Sequence, residues 1–187
     1  MTTDCLLVID LECTCSDETT PVAEQVAPEA MEIIEIGAVI ATLRGEVLDR
    51  FGRFVRPTER PALTEFCSKL TSIQQADVEK AAPLDTVLGQ LSGWLDGHRH
   101  TLIGWGSWGA FDCRQFEREC ARKGFANPLG HIPHTNLKQR FAKRRKIQQV
   151  GMQRAILMVG LYPLGTHHRG LDDALNIARL VPHALGE

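Results

Sequence analysis

The run Cys5-Leu6-Leu7-Val8-Ile9 ends in Asp10-Leu11-Glu12. Five consecutive apolar residues with β-branched members read as a buried strand. Side chains on a strand alternate faces with period two. Asp10 and Glu12 therefore share one face, and Leu11 points to the other. Two adjacent carboxylates at the end of a buried strand repel each other and resist desolvation unless a cation lies between them. Oxygen-only donors suit hard divalent ions, Mg²⁺ or Mn²⁺. The bland alternative is a surface strand end that carries two acids. Further acids and a histidine downstream decide between the two.

The chain has 187 residues, enough for one α/β domain with a real core, and a formal net charge of −2. Overall charge therefore does not announce a nucleic-acid binder, and any such surface must be local. No apolar window is long enough to cross a bilayer, so no membrane partner is expected. The start, Met1-Thr2-Thr3-Asp4, lacks the basic region of a signal peptide, which makes the cytoplasm the expected compartment. The six cysteines are then expected to be reduced. Cys13 and Cys15 with His167 and His168 lack the spacing of a zinc site.

Periodicity lays out the rest. Ser16 to Ala30 is polar, carries two prolines and reads as a mobile loop beside the acidic pair. Ile33–Ala41 and Glu46–Val55, joined at Gly45, read as a β-hairpin. Thr64–Leu70 reads as a short helix, and Ser72-Ile73-Gln74-Gln75 has the spacing of a capping box that would open another. Asp85–Leu95 repeats apolar residues at helical spacing. Thr101–Trp105 reads as a short strand. Helices are expected at Phe111–Lys123, closed by Gly124, at Asn136–Ile147, at Met152–Val159 and at Asp172–Leu180. Strands followed by mixed strands and helices imply a mixed β-sheet flanked by helices, one domain over residues 4–183.

Asp112 and Asp173 each open a predicted helix. An acid there has an ordinary meaning, since it complements the helix dipole. His168 precedes Asp173 by five residues, in the loop His167-His168-Arg169-Gly170-Leu171, which Gly170 allows to bend.

These residues together resemble the DEDDh exonucleases of the ribonuclease T and DNA polymerase III proofreading type. They are most similar to the branch with the histone-mRNA and siRNA exonucleases and the KapD-like proteins. Val8-Ile9-Asp10-Leu11-Glu12-Cys13-Thr14-Cys15 resembles the first motif, and Glu32-Ile33-Ile34-Glu35-Ile36-Gly37-Ala38 the second strand. Leu63 to Ile73 is similar to the helix-turn signature. Ser107-Trp108 followed by Asp112 resembles the third motif, although Gly109, Ala110 and Phe111 intervene where some relatives have none. His168-Arg169-Gly170-Leu171-Asp172-Asp173-Ala174 resembles the last. Asp172 competes with Asp173 and His167 with His168; the resemblance favours the second of each pair.

The resemblance implies a ribonuclease H-like fold and a two-metal 3′–5′ exonuclease that releases nucleoside 5′-monophosphates. Asp10, Glu12, Asp112 and Asp173 would hold two divalent cations, with Asp10 touching both. His168 would be the general base. The partner would be the 3′ end of single-stranded RNA or DNA, and the branch favours RNA. Backbone groups at Cys13 and Thr14 are candidates to read a 2′-hydroxyl. Phe66 and Trp108 are candidates to stack on the last base, or are core aromatics. The basic helix, with Lys138, Arg140, Lys143, Arg144 and Arg145, is a candidate backbone contact or a solvated face. Two other readings stand beside this one: a non-catalytic interaction protein on the same fold, and a proofreading subunit of a polymerase.

Overall fold

A computed structural model describes residues 4–99 and 101–186. The five strands are β1 (Cys5–Cys13), β2 (Ile33–Thr42), β3 (Val47–Phe54), β4 (Leu102–Ser107) and β5 (His134–Asn136). They form one sheet in the order β3-β2-β1-β4-β5. β1–β2 and β2–β3 pair antiparallel, whereas β1–β4 and β4–β5 pair parallel. The sheet is therefore mixed, as the sequence pattern implies. The three-residue β5 was not expected; it is too short to carry a periodicity, and pairing with β4 alone defines it.

The helices are α1 (Glu65–Thr71), α2 (Gln75–Glu79), α3 (Leu84–Asp96), α4 (Phe111–Lys123), α5 (Leu137–Arg145), α6 (Met152–Met158) and α7 (Gly170–Leu185). Residues 16–30 contain two single 3₁₀ turns, Val22–Glu24 and Pro28–Ala30. Ser72 does not open a helix. It closes α1 in a left-handed conformation (φ 60°). The helix-opening exchange falls two residues later, where the Gln74 N–H donates to the Asp77 carboxylate at 2.9 Å.

Period two in β1 splits the core into two layers. Leu7, Ile9 and Leu11 pack with α3 and α4 residues such as Leu91 and Phe116 on one face. Leu6 and Val8 pack with α5, α6 and α7 residues such as Phe141, Ile156 and Ile177 on the other. Asp10 and Glu12 continue this second face, toward α7.

One close approach sets the height of α7 over the sheet. A Cβ on Gly37 would lie 1.9 Å from the Gly170 carbonyl carbon, and one on Gly170 would lie 3.0 Å from the Asp10 carbonyl oxygen. Glycine at both positions lets the start of α7 rest on β1 and β2. Asp173, one turn on, is thereby brought to Asp10 and Glu12. No helix among the described residues is long and apolar enough to cross a membrane.

Candidate active site

Three elements deliver four carboxylates to one cleft of about 380 Å³. Asp10 and Glu12 come from the end of β1, Asp112 from the first turn of α4 and Asp173 from the first turn of α7. Ligand oxygens of Asp10, Glu12 and Asp173 all lie within 4.8 Å of one another. Asp112 joins through a hydrogen bond, its Oδ1 accepting from the Leu11 N–H at 3.1 Å. Glu12, Asp112 and Asp173 are buried.

The electrostatics follow from this crowding. Burial first, then the charges of Asp112, Glu12 and Asp173, push the Asp10 carboxyl well above its usual range. Burial and the nearby acids raise Glu12 to about 8. Burial raises Asp112 to about 6, against the opposing hydrogen bond from Leu11. Asp173 is also raised, chiefly by burial, and the histidines beside it oppose the shift. Four acids that resist ionising together form a site built around positive charge.

Both histidines line the cleft. His167 Nδ1 stands 2.9 Å from Asp173 Oδ2, and the His168 backbone N–H donates to the same oxygen at 3.0 Å. Their rings lie 3.9 Å apart at 30°. His168 adopts φ 60°, which turns the loop so that adjacent side chains come side by side. Burial, and then the neighbouring His167, lower the His168 pKa, which favours the neutral imidazole. Asp172 takes no part in the acidic group; its Oδ2 accepts the Thr166 N–H at 2.8 Å and holds the loop.

The expected nucleic-acid contacts separate into three groups. Trp108 lines the cleft, and its indole N–H donates to the Val150 carbonyl at 3.0 Å, which fixes the ring. Cys13 lines the cleft as well. Thr14 does not: its N–H donates to the Glu32 carbonyl at 2.8 Å, and its hydroxyl accepts the Glu32 N–H at 2.9 Å. Past the bulge between Glu12 and Cys13, Thr14 pairs with Glu32, the residue just before β2, so its N–H is not free for a 2′-hydroxyl. Phe66 lies in a neighbouring groove with Asp17, Thr20 and Lys69, while Leu70, one turn along α1, faces the acids.

The basic helix is exposed at Arg140, Lys143, Arg144 and Arg145, and Lys138 is half-buried. Arg144 reaches the Leu185 carbonyl at the far end of α7, at 3.4 Å. Asp173 lies twelve residues up that helix, about 18 Å away at 1.5 Å per residue. Arg144 thus stands well away from the acids, whereas the Arg145 guanidinium lies over the Phe141 ring, 4.9 Å from its centre, and Phe141 packs 5.5 Å from Trp108 of the cleft.

Sequence reasoning missed Phe111, Leu70, Met31 and Met152, which supply apolar walls. Phe111 is nearly half exposed although large and apolar, and it directly precedes Asp112. Its position beside a candidate ligand was the available signal.

Comparisons with known proteins agree with this geometry. The profile of the exonuclease family (RNase_T) matches residues 7–181. The mouse protein "ERI1 exoribonuclease 2" is 30% identical over 94% of this chain, which spans only 28% of that protein's length. The Bacillus subtilis "Probable 3'-5' exonuclease KapD" is 29% identical, covering 96% of this chain and 84% of its own. The crystal structure of the nuclease domain of 3'hExo, a DEDDh family member bound to rAMP, superposes with a TM-score of 0.85 at 27% identity. It covers 98% of this chain and 92% of that one. Profile, relatives and superposition span the same strands and helices that assemble the acids, and the chain belongs to the exonuclease family, on its ribonuclease H-like fold.

Proposed function

We propose that the protein is a cytoplasmic, metal-dependent 3′–5′ exonuclease that releases nucleoside 5′-monophosphates from single strands, with RNA preferred over DNA. One domain, residues 4–183, carries the activity. The observation that carries this reading is the convergence of Asp10, Glu12, Asp112 and Asp173 beside a histidine pair in a single cleft. The donor set fits the implied cofactor, because it is all oxygen and the charges of the neighbouring acids raise the pKa values of Asp10 and Glu12. These four carboxylates would hold two divalent ions, Mg²⁺ or Mn²⁺, which when bound activate water and stabilise the leaving 3′-oxygen.

The remaining roles belong to side chains. His168 accepts a proton from the attacking water at an imidazole nitrogen, and its lowered pKa keeps it neutral near pH 7. Trp108 and Phe111 offer faces to the terminal base, which accept any base. Cys13 lines the cleft, and its backbone is the remaining candidate for a 2′-hydroxyl contact. RNA preference draws support from the relatives named as exoribonucleases and from the rAMP in the superposed nuclease domain.

Matched RNA and DNA oligomers, labelled at the 5′ end and incubated with Mg²⁺, test the reading. A ladder shortened one nucleotide at a time from the 3′ end, faster for RNA, is expected. Internal cuts, or no hydrolysis of either oligomer or of a thymidine-monophosphate p-nitrophenyl ester, would refute it.

A further inference from the structure

Glu35 is a fifth acid at the site, and none of the steps above uses it. It stands on β2 directly across from Glu12 and is 5% exposed. It is absent from the group of closely spaced ligand oxygens that Asp10, Glu12 and Asp173 form. Both of its oxygens are taken. Oε2 accepts Arg169 Nε at 3.1 Å and the Gly170 N–H at 3.0 Å, and Oε1 accepts Arg169 Nη2 at 3.2 Å. The fork-on-fork geometry is the directional form of an arginine–carboxylate pair. The guanidinium also lies over the Phe54 ring, 5.1 Å from its centre, so two strands hold it.

What this pair grips is the segment that matters. Arg169 and Gly170 directly follow His168. The Arg169 carbonyl accepts the Asp173 N–H at 2.9 Å, the first hydrogen bond of α7. The preceding residues are exposed but tied to α7, Leu164 through Asn176 and Thr166 through Asp172, so the Glu35 pair is what holds the stretch that follows His168 to the sheet. His168 also adopts a left-handed backbone conformation, which a non-glycine residue keeps only when its surroundings impose it. A general base must sit within hydrogen-bond reach of the proton it removes.

We propose that Glu35, acting through Arg169 and Gly170, is a positioning residue that fixes the His168 loop over the acids and does not hold metal itself. The proposal rests on the reading of His168 as the base. Placement then comes from a strand of the sheet on the side after His168, as it comes from α7 on the side before it.

The experiment is a mutant cycle of Glu35→Gln with His168→Ala, read as kcat, KM and Mg²⁺ half-saturation on a single-stranded oligomer. Glu35→Gln is expected to lower kcat about ten- to a hundredfold, the cost of a misplaced group. KM and Mg²⁺ half-saturation should stay near wild type. In the His168→Ala background the same change should do little more, because both act on one function. Arg169→Lys, which keeps the charge and loses the fork, should show a weaker form of the same pattern. It serves as the test if Glu35→Gln does not fold. An equal fall in both backgrounds would mean a merely structural role and would overturn the proposal. A weakened Mg²⁺ half-saturation with full kcat at saturation would make Glu35 a ligand and overturn it too. A fully active His168→Ala would remove the base reading itself, a failure visible in that single variant.

Discussion

His167 Nδ1 and Asp173 Oδ2 are 2.9 Å apart, so the carboxylate proposed as a metal ligand is held by the histidine proposed not to be catalytic. The neighbouring His168 touches that oxygen only through its backbone N–H. This division predicts different outcomes at the two positions. His168→Ala should lower kcat by ~10²–10⁴-fold, the range for a positioned base, with Mg²⁺ affinity little changed. Raising the pH should partly restore it. His167→Ala should show a mild loss. The reverse ranking in steady-state kinetics would move the base by one residue.

Asp10→Asn should abolish hydrolysis and leave the fold intact. The change removes one charge from four mutually repelling acids, so the variant should melt higher than wild type without metal. Thermal unfolding in EDTA and a turnover assay with Mg²⁺ check both halves. Wild-type turnover would sink the metal assignment.

The same repulsion gives the metal-free protein a pH dependence. Folded-state pKa values raised above those of the unfolded chain mean that the native state binds more protons, so stability falls as pH rises. For Glu12 the window runs from its ordinary value of 4.5 to about 8. Melting temperature in EDTA should therefore fall between pH 5 and 8. Mg²⁺ should raise it most at the alkaline end, where the acids are ionised. A flat profile in EDTA would show that the acids are relieved in some other way.

Changing Lys143, Arg144 and Arg145 together to Ala should weaken binding of long oligomers and flatten its salt dependence, since fewer counterions are released. Hydrolysis of the p-nitrophenyl ester should barely change, because the acids lie about 18 Å up α7 from the Arg144 contact. An unchanged salt slope would reduce α5 to a solvated face.

Gly37→Ala places a Cβ on the Gly170 backbone, which cannot swing aside as a side chain can. Destabilisation by about 1–3 kcal/mol is expected for such overpacking, together with loss of activity as α7 lifts Asp173 from Asp10. Chemical denaturation and kinetics on the same sample check this. A stable, active variant would show that α7 tolerates the shift.

The sequence by itself determined the features that depend on local periodicity and ordered motifs. Period two along β1 put Asp10 and Glu12 on one face, and the resemblance to the last family motif favoured His168 over His167 and Asp173 over Asp172. The order of motifs carried the family and its mixed sheet. Tertiary structure decided everything that turns on which group takes a hydrogen bond first. Thr14 looked free to meet a sugar until the bulge gave its N–H to Glu32. Phe66 and Leu70 share one face of α1, and only the packing of that helix against the exit of β1 puts Leu70 at the acids. The strand β5 exists through its partner, and Arg144 of the basic helix reaches the far end of α7 because parallel strands send their following helices back down the sheet. Glu35 read as one more strand residue. Its grip on Arg169 joins positions 134 residues apart, a relation between side chains that no local pattern encodes.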